Sequence, residues 1–384
     1  MENRNTTYKF LPVLMGFFVM GLVDLVGIST SYVKQDFGLS NTMSNLLPMS
    51  LFLWFAILSI PTGLIANKIG RKRTVILSMI ISFIAMILPL LVYTFPAMLI
   101  AFTLLGIGNT IIQVSLNPLV GDVVVEKRLT SSLTLGQFIK AIAAFLGPII
   151  AGWAAVRLGN WKFVFLLFGI VTLLSGLWLI MTRIEERPVD QNTSSFKATF
   201  QLLNDRTILM LFIGILFVVG VDVGLNTTIP KFLMEKVDMP LEKAGLGTSL
   251  YFIARTIGTF IGALMLTKVS GRKFFITSML VAIPALLFML LVPNLWVILI
   301  LIFVIGFAVA NVFSIIFAAA LKKIPERANE ISGLLITGVV GGAIIPFLMG
   351  ITSDFLQQTG GMALLLVALG YLLYCAFSMK EEKV

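Results

Sequence analysis

Long apolar runs, each close to the roughly 20 residues that a helix needs to cross a hydrocarbon core of about 30 Å, constrain this chain more than any other feature. Twelve can be read, at 10–33, 43–66, 74–93, 97–122, 132–156, 161–182, 207–230, 244–267, 274–292, 295–320, 331–355 and 361–379. Composition points the same way. Hydrophobic residues make up 58% of the chain and charged ones 12%, against roughly 25% charged in an ordinary soluble domain. A soluble fold could not bury so much apolar surface, so the expected class is an all-α membrane protein of twelve transmembrane helices with the lipid bilayer as its partner.

The first run follows a polar lead and ends in Ser31-Tyr-Val-Lys34 without a small-residue cleavage pattern. It is expected to remain in the mature protein rather than act as a signal peptide. The net charge is +10, which on a soluble protein would suggest nucleic acid. Here the basic residues sit in short clusters between apolar runs, where they orient a chain in a membrane, and no nucleic-acid partner is expected. Loops on the side of the termini hold Lys68, Arg71, Lys72, Arg73, Lys127, Arg128, Arg183, Arg187, Lys197, Arg206, Lys268, Arg272, Lys273, Lys322, Lys323 and Arg327, and the termini add Arg4, Lys9, Lys380 and Lys383. The opposite side has only Lys34, Arg157, Lys162, Lys231, Lys236 and Lys243. Positive charge marks the cytoplasmic side, so both termini are expected there, in an inner or plasma membrane.

There is no histidine, and Cys375 is the one cysteine. That removes His-based acid/base or metal chemistry, a Cys/His nucleophile, a zinc site and an internal disulfide framework. No metal or other cofactor and no enzymatic activity are expected. If the protein moves a proton, a carboxylate carries it. Without an ATP-binding motif, any accumulation must draw on a gradient.

The segment from Arg183 to Arg206, with Glu185, Glu186, Pro188, Asp190 and a Gln-Asn-Thr-Ser-Ser run, has the composition of a solvated linker. It divides the chain into a six-span part at 1–182, a linker at 183–206 and a second six-span part at 207–384. The parts resemble each other. Gly70-Arg71-Lys72 recurs as Gly271-Arg272-Lys273, Gly21-Leu-Val-Asp24 as Gly220-Val-Asp222, and Pro148 with Gly152 as Pro346 with Gly350. A six-span internal repeat is an architecture of secondary transporters, whose substrate site lies near the midplane between the halves.

Gly63-Leu-Ile-Ala-Asn67-Lys-Ile-Gly70-Arg71-Lys72-Arg73 resembles the loop between spans 2 and 3 of the major facilitator superfamily, with Asn67 where that family usually has Asp. Gln113-Val-Ser-Leu-Asn117-Pro118, Phe252-Ile-Ala-Arg255-Thr-Ile-Gly258-Thr-Phe-Ile-Gly262 and the glycine and proline pattern from Ser332 to Gly350 are similar to the fucose/glucose/galactose proton symporter branch. The resemblance spans essentially the whole chain. It implies two pseudo-symmetric six-helix bundles and import of a monosaccharide or small sugar derivative with a proton by alternating access.

Charges deep in a bilayer cost about 2.5 to 3.5 kcal/mol each on insertion scales, so the four that lie well inside the runs, away from their ends, are functional candidates: Asp24 in span 1, Lys140 in span 5, Asp222 in span 7 and Arg255 in span 8. Two structural ion pairs would account for them equally in charge. The sequence does not fix which acid meets which base, although Arg255 on the neighbouring span is expected to hold Asp222. Asp24 shares a helical stripe with Gly16, Met20, Gly27 and Ser31, and small residues leave room for substrate or water. The resemblance implies proton coupling for Asp24, alternating between a protonated and a paired state.

In span 4, Gly106, Thr110, Gln113 and Asn117 lie on one face. Such amides suit sugar hydroxyls and also serve as hydrogen-bond glue between helices. Gln113 stands where the permeases have Glu, which rules out a two-acid relay from spans 1 and 4. Lys140, beside Gln137, stands where they have Asn near the sugar. Lys140 then neutralises Asp24, binds the carboxylate of an acidic sugar, or accepts a proton itself. Asp222, Asn226 and, from span 10, Asn311 complete the candidate substrate-binding set. A drug or metabolite exporter or antiporter of the same superfamily is the rival reading. Nothing in the sequence demands an oligomer, and a monomer is expected.

Overall fold

The computed structural model describes residues 2–124, 126–186, 196–266, 268–324 and 327–379. Most of the linker, 187–195, lies outside them with Lys380 and Lys383, as do the side chains of Arg4, Asn67, Lys127, Arg128 and Lys197. Every regular element among the described residues is an α-helix or a short 3-10 turn. Spans below keep the numbers of the twelve runs.

Among the described residues, ten helical stretches are long and apolar enough to cross a membrane, against twelve runs in the sequence. Runs 11 and 12 fall in one stretch, Ile331–Ser378, of 48 residues. It is broken at Leu356 (φ -122°, ψ 18°) and Gln357 (φ 60°, ψ -175°), where the chain leaves helical geometry. Run 8 is the 25-residue helix Leu241–Met265; it carries Glu242, Lys243 and Arg255 and is not among the ten.

The internal repeat reappears in the way helices start and stop. Arg71–Leu91 and Gly271–Leu291 are both 21-residue helices that end on an extended residue, Val92 or Val292. The next helix then starts from a polar cap: the Thr94 side chain accepts from the Ala97 N–H at 3.3 Å and that of Asn294 from Val297 at 3.2 Å. Such caps satisfy N–H groups that the first turn leaves unpaired. The corresponding starts differ in one respect. Ser270 caps the second-half helix from Lys273 N–H. In the first half Gly70, at φ 93°, leaves the capping to Glu186, whose carboxylate accepts from the N–H groups of Arg71 at 2.5 Å and Lys72 at 3.0 Å.

One correction concerns span 7. Read from sequence, the run closes at Pro230 and Lys231 belongs to the outer loop. The helix instead runs on as Arg206–Val237, and Lys231 is 5% exposed. Phe232 and Leu233, both fully buried, hold the helix through the position where proline removes one N–H.

Two compact units make up the chain. One comprises Met1–Val26 with Leu53–Thr193, and the other Gly27–Phe52 with Ser194–Val384. The boundary therefore cuts spans 1 and 2, placing the second half of span 1 and the start of span 2 in the unit of spans 7 to 12.

Candidate functional site

In the first unit, span 1 changes geometry at its candidate acid. Glu2–Met20 is α-helical, Gly21–Leu25 is a 3-10 turn, and α-helix resumes at Val26–Asp36. Asp24 lies half-buried in that turn while Gly21, Leu22, Val23 and Leu25 are buried. A stretch of 3-10 inside a longer helix often marks a functional hinge, and it changes which carbonyls have helical partners. The carbonyl of Met20, just before the turn, accepts from Asn109 Nδ2 at 2.7 Å. Gln113 Nε2 in turn donates to Asn109 Oδ1 at 2.8 Å. An amide chain from span 4 thus holds the start of the irregular turn.

Span 5 lies against the same segment. A side-chain carbon added at Gly136 would strike the Phe17 ring at 2.6 Å, one at Gly21 would strike the backbone carbonyl of Lys140, and one at Gly147 would touch Leu25 at 3.4 Å. Small residues at this spacing let two helix backbones approach closely. Asp24 and Lys140 therefore lie on two helices packed backbone to backbone, with Lys140 also half-buried. The other candidates diverge: Gln113 is half-buried, Asn117 and Gln137 are exposed, and Thr110 bonds to the carbonyl of Gly106 in its own helix.

In the second unit, the Asp222 carboxylate is held on both oxygens. The Tyr251 hydroxyl donates to Oδ1 at 2.7 Å and Arg255 to Oδ2 at 2.6 Å. The side chains of Arg255 and Asp222 keep 34% and 21% exposure, so water reaches the pair. Asn226, one turn further, is buried against the backbone of Gly27. Asn311 Nδ2 donates to the Gly258 carbonyl at 2.7 Å, which ties span 10 to span 8 at the point where Leu295–Val309 gives way to Val312–Lys323. The packing of spans 1 and 5 has its counterpart here: Gly220 of span 7 sits against Ile345 and the Gly341 carbonyl of span 11.

Asn109 and Tyr251 are the two site residues that the sequence pattern does not single out. Each lies one helical turn before a residue that it does, Gln113 and Arg255, so the i, i+4 rule is the signal by which they could have been found.

The model of the Major Facilitator Superfamily matches residues 13–244 and 211–383, and the chain belongs to that superfamily of membrane transporters. It is similar to the glucose/galactose transporter of Brucella abortus, 24% identical over 92% of this chain and 89% of that one. It is also similar to the hexuronate transporter of Bacillus subtilis, 22% identical over 72% of this chain and 70% of that one. Among solved structures, a bacterial homologue of the human lysosomal transporter Spinster matches with a TM-score of 0.81 at 18% identity, covering 98% of both chains. The E. coli fucose:proton symporter FucP matches with a TM-score of 0.69 at 16% identity, covering 97% of this chain and 98% of that one. The likenesses to solved structures define the fold, a multi-pass bundle of membrane helices, and the superfamily is one of transporters rather than enzymes.

Proposed function

We propose that this chain is a secondary active importer of a monosaccharide or small sugar derivative, driven by proton symport through alternating access. Its twelve spans form two six-helix bundles, 1–182 and 207–384, joined by the linker, with both termini in the cytoplasm of a bacterial cell. The observation that carries the reading is the 3-10 turn around Asp24, a half-buried carboxylate in an irregular, hydrogen-bonded segment of a membrane helix. An ionisable group in such a place marks an ion pathway, and the similarity to glucose/galactose transporters supplies the substrate class. Asp24 takes and releases the proton and Lys140, on the adjoining helix, tunes it. Gln113, Asn117, Gln137, Asn226 and Asn311 supply amides toward sugar hydroxyls, while Asp222 is held by Arg255.

The test is uptake by purified protein in liposomes under an imposed proton gradient, with a panel of neutral and acidic sugars. Wild-type protein accumulates a sugar only when the gradient is present. Asp24→Asn loses accumulation while still exchanging labelled for unlabelled sugar, and undiminished accumulation in that variant sinks the coupling role. A second reading, import of an acidic sugar with Lys140 binding its carboxylate, draws on the hexuronate transporter similarity. Uptake of a uronate with no uptake of neutral sugars establishes it.

A further inference from the structure

Lys231 is a buried lysine that the proposed transport cycle does not use. It is 5% exposed, and among the described residues its partner is one amide oxygen, Asn45 Oδ1 at 2.8 Å. No carboxylate of the described residues forms an ion pair with it. Asn45, itself 1% exposed, passes the contact on by donating from Nδ2 to the Pro346 carbonyl at 2.5 Å. The start of span 2 is thereby fixed to spans 7 and 11.

A second fastening lies beside the first. The Asp354 carboxylate accepts from the N–H groups of Asn41 at 2.6 Å and Thr42 at 2.9 Å and from the Thr42 hydroxyl at 2.5 Å. Gln358 Nε2 donates to Asn41 Oδ1 at 2.6 Å, while its backbone N–H is held by Glu235 of span 7 at 2.9 Å. Between Asp354 and Gln358 stands Gln357 at φ 60°, ψ -175°, a backbone region that residues other than glycine occupy only at a cost of roughly 1 to 3 kcal/mol. All of these residues belong to one compact unit.

We propose that these contacts form a latch on the segment that leads from span 1 into span 2 at its outer end, and that the buried charge of Lys231 keeps it releasable. The side is outer on the topology proposed above, and the latch rests on that reading. Taking an ammonium out of water costs several kcal/mol, and a single amide oxygen returns only part of this. Release lets water reach Lys231 and recovers the hydration energy, so the charge favours the open arrangement while the hydrogen bonds favour the closed one. The latch is balanced because the buried charge opposes the hydrogen bonds that close it.

The sign of each substitution follows from this balance. Exchanging a buried charge for an apolar side chain of similar size is often stabilising, whereas removing its partner leaves the charge uncompensated. Lys231→Met therefore locks the latch, Asn45→Ala releases it, and Asn45→Ala placed on Lys231→Met has a much smaller effect because no buried charge remains to be orphaned.

The readout is the rate at which a membrane-impermeant maleimide labels a Ser44→Cys variant. Ser44 is fully buried in the latched segment, and the substitution is made in a Cys375→Ser background. Labelling is measured on the full chain in right-side-out vesicles without added sugar, with size-exclusion profiles checking that each variant is folded. Lys231→Met slows labelling about tenfold and Asn45→Ala speeds it about tenfold, the change that roughly 1.4 kcal/mol produces. Asp354→Asn speeds labelling as well. Equal rates in wild type and Lys231→Met overturn the latch, as does an equal Asn45→Ala effect in both backgrounds. Failure of sugar uptake in the wild type would count against the transport reading alone, since labelling requires no substrate.

Discussion

At the scale of single residues, two carboxylates just beyond matching glycines meet different chemistry. Asp222 has a phenol and a guanidinium on its two oxygens, whereas Asp24 sits in a 3-10 turn whose preceding carbonyl is held by Asn109. We expect a carboxylate clamped on both oxygens to serve as a structural tie. Tyr251→Phe removes one neutral donor and should cost about 1 kcal/mol of stability. Arg255→Met strips the charged partner and should cost about 2 kcal/mol, kept modest by the water that reaches the pair. Thermal denaturation in detergent checks both, and Asp222→Asn combined with Arg255→Met should regain part of the loss. An Asp222 that served transport rather than structure would instead abolish uptake in the double variant while leaving the melting temperature near wild type. The four ionisable residues are visible in the sequence because a charge in an apolar run is expensive. The hydrogen-bonding groups around them are not, since Asn109 and Tyr251 are ordinary helix residues until a neighbouring helix brings the Met20 carbonyl to one and the Asp222 carboxylate to the other. Lys231 is hidden for another reason: a proline beside it looks like a helix end, and only tertiary packing carries the helix past it.

At the scale of elements, the repeat is expressed as one packing device used twice. Gly21 meets the backbone of span 5 and Gly220 the backbone of span 11, so each half brings its first span against its fifth through a glycine one turn or less before an acid. Adding a methyl group at either glycine pushes it into backbone or a β-branched side chain, neither of which can swing away. Gly21→Ala and Gly220→Ala should each destabilise by about 1 to 3 kcal/mol. Gly370 is the contrast: it lies inside a helix with nothing within 4 Å of an added carbon, and Gly370→Ala should be neutral or stabilise by up to about 1 kcal/mol through helix propensity alone. Unfolding midpoints of the three variants separate close approach from propensity, and equal shifts at Gly21 and Gly370 would refute the packing argument. The glycines can be read in the sequence as a repeat. The 3-10 turn that starts at Gly21 cannot, because the Met20 carbonyl that precedes it is held by an amide three spans along the chain.

At the scale of the whole molecule, length decides how the last stretch crosses the membrane. A straight helix from Gly341 to Ser378, 38 residues long, would extend about 57 Å, nearly twice the hydrocarbon thickness of about 30 Å. No tilt in the ordinary range absorbs that excess. The break at Leu356 and Gln357 supplies the alternative: the chain turns there, with Glu235 capping the N–H of Gln358 and Asp354 facing the 41–42 backbone, groups that belong at a polar surface rather than in lipid. Apolar runs locate both crossings in the sequence and bracket the turn between them, while its sharpest residue, Gln357, is neither glycine nor proline and gives no signal of its own. Phe355 is 83% exposed beside the break. In intact cells, with Cys375 replaced by serine, a Phe355→Cys variant should react with an impermeant maleimide from outside, and a cysteine appended after Val384 should react only once the cells are opened. If the appended cysteine reacts from outside, the stretch crosses once and the chain has an odd number of spans. Protection of Phe355→Cys together with the appended cysteine would place the break within the bilayer and remove the outer surface on which the latch depends.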